Sequence, residues 1–375
     1  MSFKNDRICL VLFLFHKAFN APYNNLKKCL LNISDNHYEI IGTLPGIYDF
    51  SRSDKNRIIF YHKKTNNFIS RIFNYSLLNV RISIEIIKNS KNVDIFFFFT
   101  QIGLHLPMLI AFFFKKKIVW MIPSSLKKMY YYDQDFLTNL IIFAQSFCYL
   151  LSNKIILYSP NLIKEWKLQN YSDKILIARH HFINFNTFIE TIPLFDRPLL
   201  VGYIGRMTEE KGVQNFVRAL PAILNDRKDI SVLIGGDGLL KDEIVAFLLA
   251  EKLMSRVNLV GWIGHDDLPE YLNKLRLLIL PSYTEGLPNI LLEAMACGTP
   301  VLATPVGAIP DIISDGETGF IMENNSPECI TGNVFRALNS PDLEQIAVNG
   351  RRFVGEHFTI ERVIARWKEV LEEIE

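Results

Sequence analysis

Paired cysteines are missing from this chain. Its five, at positions 9, 29, 148, 297 and 329, form no CxxC pair and no Cys/His cluster with zinc spacing. An odd, scattered set argues against a secreted disulfide framework and fits a reducing cytoplasm. Tandem repeats and low-complexity segments are also lacking. So is a small-residue cleavage site behind the apolar run of "MSFKNDRICLVLFLF", which therefore reads as a first strand rather than a signal peptide. Long uninterrupted hydrophobic runs are scarce. Ile95 to Phe114 carries no formal charge over twenty residues and is followed by three lysines, which meets the length rule for a membrane span. Gln101, Gly103, His105 and Pro107 break it at the middle, so strand, loop, helix and then the strand "KIVWMI" is the expected reading.

What is present suits two α/β domains. The chain has 375 residues, 49% hydrophobic and 21% charged, enough for two cores of about 150 to 200 residues each. The net charge of +2 hides a division. Residues 1–190 hold 24 Lys and Arg against 12 Asp and Glu, net +12, and residues 191–375 hold 17 against 27, net −10. In the first half Lys27-Lys28, Lys63-Lys64, Lys115-Lys116-Lys117 and Lys127-Lys128 cluster, some beside aromatic runs at 96–99 and 112–114. Such a surface attracts anionic lipid head groups or a phosphate-bearing acceptor; the alternative is a solvated face over unrelated core strands. No binding motif accompanies the charge, so nucleic acid is not an expected partner.

Short β-rich runs alternate with helix-length segments in both halves. The second half is the clearer, with "LLVGYIG", "ISVLIGG", "VNLVGW", "RLLILPS" and "PVLAT" separated by amphipathic segments. The expected linker is "TIPLFDRP", 191–198, where two prolines flank the composition change, which places the domains at 1–190 and 191–357. The last segment, from 358, is a helix with Ile360, Val363, Ile364, Trp367, Val370 and Leu371 on one face.

In open parallel sheets, ligands bind beyond the carboxyl ends of the strands. Three loops of the second half qualify. "GYIGRMTEEKGV" ends a strand at Gly205 and sets Arg206 and Lys211 around a turn; two converging cations suit a diphosphate, and the alternative is surface ion pairing with Glu209 and Glu210. "IGGDGLL", with Gly235, Gly236 and Gly238, allows close backbone approach, and Asp237 reads as a turn or cap residue. In "YTEGLPNILLEAMACGTP", Glu285 and Gly286 precede a helix that Pro288 suits as first position and Gly298 terminates. Glu293 then lies over one turn inside it. The N–H groups of Leu287, Asn289 and Ile290 sit at the positive helix end, open to hydroxyls or phosphate oxygens.

Together "GRMTEEKGV", "GGDG" and "EGLPNILLEAMACGTPVLATPVGAIPDII", with Glu, seven residues and Glu, resemble the retaining nucleotide-sugar glycosyltransferases of the GT-B fold, the group often called family 4. The match runs from about Val201 to Met322. The resemblance implies two facing Rossmann-like domains with a deep interdomain cleft. The nucleotide-sugar donor would be held by the C-terminal domain and the acceptor by the N-terminal one, to which the final helix would return. By the same resemblance Arg206 and Lys211 hold the diphosphate, Glu293 the ribose hydroxyls, and Glu285 with the following amides the transferred sugar. Gly205 and Gly236 give backbone access, and the base lies near Gly261 and Trp262.

The first half departs from the family's pattern. "HKAFNAPYNN", 16–25, has no glycine where relatives carry a glycine-rich loop. Pro123 stands at about the place of a common histidine, and "ARHHFIN" replaces the usual "PNG" turn. His16 and His105 are the acceptor-side candidates. No DxD-type metal motif is convincingly placed, and neither a metal nor a resident cofactor is expected. A UDP-sugar donor is expected over a GDP-sugar. The acceptor would be a glycan or polyprenyl-diphosphate-linked glycan of a bacterial surface polysaccharide such as O-antigen or capsule, served at the inner face of the cytoplasmic membrane. Two further readings stand beside this one: another GT-B enzyme, such as a sugar-nucleotide epimerase or phosphorylase, and a catalytically degenerate binding protein.

Overall fold

A computed structural model of the chain describes residues 7–14, 20–33, 37–43, 56–61, 68–100, 103–123 and 145–374. The chain forms two compact units, residues 1–181 with 361–375, and residues 182–360.

The first unit is built on a parallel sheet. Its strands are β1 (Ile8–Leu14), β2 (His37–Thr43), β3 (Arg57–Tyr61), β4 (Ile95–Phe99), β5 (Lys117–Met121), β6 (Lys154–Leu157) and β7 (Ile175–Ile177), in the order β3-β2-β1-β4-β5-β6-β7. The run "IFFFF" is β4, and it is buried along its whole length because a central parallel strand is covered on both faces. The helices α1 (Asn20–Leu31), α2 (Phe68–Asn89) and α3 (His105–Phe113) connect the strands. The uncharged stretch from Ile95 is thus a strand and a short helix. No helix among the described residues is long and apolar enough to cross a membrane. The final helix, Ile360–Ile374, buries Val363, Trp367, Val370, Leu371 and Ile374. The Trp367 ring lies 6.1 Å from that of Phe97, and its indole N–H donates to the Arg179 carbonyl at 2.9 Å.

The second unit also holds a parallel sheet, β8 (Leu200–Ile204), β9 (Ser231–Gly235), β10 (Val257–Gly261), β11 (Leu277–Leu280), β12 (Val301–Ala303) and β13 (Phe320–Ile321), in the order β10-β9-β8-β11-β12-β13. This is the doubly wound order of a dinucleotide-binding domain, with its topological switch between β8 and β11. The unit starts at Phe182, ahead of the proline-flanked stretch expected as linker. Arg197 explains the difference. Its guanidinium is 2% exposed and donates to the carbonyls of Ile192, Leu275 and Cys297 and to Thr299 Oγ1. Glu190 pairs with Arg351 at 2.6 Å. Segment 188–197 is therefore fastened into the second unit.

Candidate donor site at the switch point

The loops after β8 and β11 meet where the strand order reverses. After β8 the chain makes a short turn, Glu209–Lys211, and Gly212 follows at φ +65°. A Cβ on Gly212 would run into the Pro281 carbonyl, so glycine lets the first loop lie against the second. The Tyr283 N–H donates to the Glu210 carbonyl at 2.9 Å, and the Asn215 amide donates to the Tyr283 hydroxyl at 2.8 Å.

That apposition brings Lys211 to Glu285. The ammonium lies 2.7 and 2.8 Å from the two carboxylate oxygens, and Ser282 Oγ donates to Oε1 at 2.8 Å. Glu285 is buried and Lys211 partly so. Arg206 does not join them: its guanidinium pairs with Glu210 at 3.2 Å, and both side chains are partly exposed. The surface ion pair posed as the alternative is thus the arrangement Arg206 adopts, while Lys211 turns inward.

Pro288 is extended at φ −75°, ψ 121°, and caps the helix from outside; the helix itself is Asn289–Ala296. Proline lacks an N–H, so nothing is lost by placing it one step before the first turn. The N–H groups of Asn289 and Ile290 have no partner within the helix by its geometry. Gly307, at φ +62°, passes so close to the loop that a Cβ would strike the Glu285 and Gly286 carbonyls, and the Ala308 N–H donates to the Gly286 carbonyl at 2.8 Å. Gly286 and Leu287 are thereby set in place ahead of the helix.

Glu293 points inward from the middle of that helix and is 6% exposed. Its partner is His265, whose Nε2 donates to Oε1 at 3.2 Å. This hydrogen bond raises the His265 pKa above the ordinary histidine value, the carboxylate charge adds to the rise, and partial burial opposes it. The Phe188 ring packs edge-on against the imidazole at 5.2 Å. His265 follows β10 by four residues and was absent from the expected set. Its signal was position, since it sits on the loop after β10, a strand-end loop outside the three singled out from the sequence.

The glycine loop after β9 closes the other side. Gly236 and Gly238 have φ of +130° and +157°, where a Cβ would meet the carbonyls of Gly205 and Met207. The Gly205 N–H donates to the Gly235 carbonyl at 3.0 Å, and the Gly236 N–H to the Gly261 carbonyl at 2.6 Å. Asp237 accepts from the Gly238 N–H at 2.8 Å, a turn role. Gly261, at φ +69°, faces open space, and Trp262 beside it is 75% exposed.

In the first unit His105 begins α3, and His16 lies outside the described residues. Two other histidines occupy the stretch that replaces the usual turn. His180 and His181 are buried with stacked rings 4.3 Å apart, and burial lowers both pKa values, that of His181 to about 3.

Residues 198–340 match the family model of the glycosyl transferases group 1. The matched residues make up most of the second unit. The chain is 31% identical to an alpha-D-kanosaminyltransferase of Streptomyces kanamyceticus over 161 residues, 43% of this chain and 42% of that one. It is 25% identical to the capsular polysaccharide biosynthesis glycosyltransferase CapM of Staphylococcus aureus over 242 residues, 62% and 60% of the two chains. The matched region spans about half the length of the first such relatives or less. Over nearly its whole length the chain shares its fold with Anabaena HepE, solved with UDP, at 14% identity and a TM-score of 0.75, covering 98% of this chain and 100% of that one. Two Rossmann-like parallel-sheet units are the fold of GT-B glycosyltransferases. The loops that converge at the switch point fall inside the matched residues.

Proposed function

We propose that the protein is a retaining glycosyltransferase. It moves a sugar from a nucleoside diphosphate sugar, UDP-linked by preference, to a hydroxyl of a glycan or lipid-linked glycan in surface polysaccharide synthesis. The observation that carries this reading is the Lys211–Glu285 contact at the switch point, with Glu293 inside the helix into which the Glu285 loop leads. In this reading Lys211, and Arg206 after leaving Glu210, hold the diphosphate and stabilise the negative charge that builds on the departing oxygens. Glu285 and the N–H groups of Gly286, Leu287, Asn289 and Ile290 grip the sugar, and Glu293 accepts from the ribose hydroxyls. The base lies by Gly261 and Trp262. The acceptor hydroxyl attacks on the side the leaving group departs from, and the leaving phosphate takes its proton, so no protein nucleophile is required.

The UDP of the HepE structure and the capsule assignment of the CapM relative support the donor class and the acceptor class. A polyprenyl-diphosphate-linked acceptor places the enzyme at the inner face of the cytoplasmic membrane. A thermal-shift panel of nucleotide sugars tests the proposal, because a ligand that binds only the folded state at about a hundred times its Kd stabilises it by about 2.7 kcal/mol. A UDP-sugar is expected to raise the melting temperature, and to be consumed only when an acceptor is supplied. No response to any nucleotide sugar overturns the reading.

A further inference from the structure

The helix α2 is apolar on both sides. Leu78, Ile82 and Ile86 are buried, as an α/β layer requires. On the opposite side Phe73, Leu77, Val80, Ile84 and Ile87 recur at the i, i+4, i+7, i+11, i+14 spacing of one helical stripe. Phe73 is 66% exposed, and Val80, Ile84 and Ile87 are each near 45%. A soluble surface helix carries polar side chains there. Helix α3 packs beside α2 and ends in Phe112, Phe113 and Phe114, all exposed, Phe113 at 69%.

Cations border this apolar surface. Arg81 and Lys88 flank the α2 stripe, Lys91 follows its end, and Lys115 to Lys117 follow the three phenylalanines. From 68 to 117 the acidic side chains are Glu85 and Asp94, and each is already paired, with Lys88 at 2.8 Å and with Arg7 at 3.0 Å. An apolar face edged by an excess of positive charge matches acyl chains beneath anionic head groups. It does not match a second copy of itself, since a two-fold contact would bring the same cations together.

We infer that the outward side of α2 and the end of α3 form the surface on which the protein lies against an anionic phospholipid bilayer. The apolar side chains enter the head-group boundary, and the lysines meet lipid phosphates. Helix α2 lies in the interface without crossing it, as no described helix is long and apolar enough to span. The inference rests on the proposed membrane location and is independent of the donor assignment.

Co-sedimentation of the full chain with vesicles tests it, without donor or acceptor. Phosphatidylcholine vesicles and phosphatidylcholine–phosphatidylglycerol vesicles are compared at low and high salt. Binding is expected to the second kind alone and to weaken with salt. Ile84→Asp with Ile87→Asp is expected to cut partitioning on the order of tenfold or more. Lys115→Gln with Lys116→Gln should cut it by roughly fivefold per lysine. Melting temperatures of the variants report that they fold, and the UDP-induced shift reports the donor site separately. Variants that are folded and bind like the parent overturn the inference. So does a parent that binds neither vesicle, or one that is a dimer made monomeric by Ile84→Asp with Ile87→Asp, which would assign the face to a second copy.

Discussion

Lys211 and Glu285, 74 residues apart, meet in a two-pronged ion pair at 2.7 and 2.8 Å. The contact exists because β8 and β11 are neighbours across the switch in strand order, so the loops that leave them are adjacent. In the proposed reading, the cation that would hold the donor's phosphates is paired, in this structure, with the carboxylate that would hold its sugar. A buried carboxylate left without a partner is costly, and the pair gives Glu285 one.

Removing either partner should therefore cost more than removing both. Lys211→Ala strands Glu285 beside Ser282 alone and is expected to destabilise the fold by about 1–3 kcal/mol, below the range for fully buried pairs because Lys211 is partly exposed. The double variant Lys211→Ala/Glu285→Gln should recover part of that loss, as coupled neighbours do. Urea denaturation of the single and double variants reads the coupling. Transfer by Lys211→Ala should fall on the order of 10²-fold or more. An unchanged transfer rate in both Lys211→Ala and Arg206→Ala would remove the diphosphate assignment.

His265 gives the second unit a pH-dependent contact with Glu293. Its pKa is raised in the folded state, so the protonated form binds its site more strongly than in the unfolded chain. The added stability is fully present below the unfolded value of about 6.5 and is lost as pH rises through the higher folded value. Melting temperatures of the parent and His265→Gln, measured across that range, should differ most on the acid side and converge on the alkaline side. A constant gap would show that the imidazole contributes packing against Phe188 and no charge.

The loops at the switch point were legible because each is local: a strand end, a glycine or a cation, and a helix start lie within a dozen or so residues. The pairing of Lys211 with Glu285 was not, since it depends on which strands are neighbours. Arg206 and Lys211 looked equivalent along the chain, but Arg206 stands before the short turn Glu209–Lys211 and pairs with Glu210, while Lys211 ends that turn and reaches Glu285. His265 escaped because its partner is across the sheet and its own loop carries no motif. On α2 the apolar residues cover two faces, so periodicity alone does not separate a fully buried helix from one with an exposed stripe. Arg197 looked like a linker residue between prolines, and its burial follows from carbonyls supplied by its own loop and by two distant segments.

Gly307 sets the loop at Glu285 and Gly286 without carrying a functional group. Gly307→Ala would place a methyl against the Glu285 and Gly286 carbonyls in a left-handed backbone conformation. The conformation alone costs an L-residue about 1–2 kcal/mol, and the contact forces the loop to shift. A weaker thermal shift with the nucleotide sugar is expected, with a smaller change in the shift given by the nucleotide alone. Equal loss for both ligands would place the disturbance at the phosphates.

Arg197 holds the entry to the second unit by hydrogen bonds rather than by charge. No carboxylate touches its guanidinium among its described hydrogen bonds; Ile192, Leu275 and Cys297 offer carbonyls and Thr299 a hydroxyl. Burial accordingly lowers its pKa to about 10. The Cys297 carbonyl is at the end of the Asn289–Ala296 helix, where a cation also complements the helix dipole. Arg197→Met fills the volume and leaves those acceptors buried and unpaired, at about 1–3 kcal/mol for each group that water does not reach. Chemical denaturation should show a loss of roughly 3 kcal/mol or more. Arg197→Lys should recover only part of it, because an ammonium cannot span the carbonyls that the planar guanidinium reaches at once.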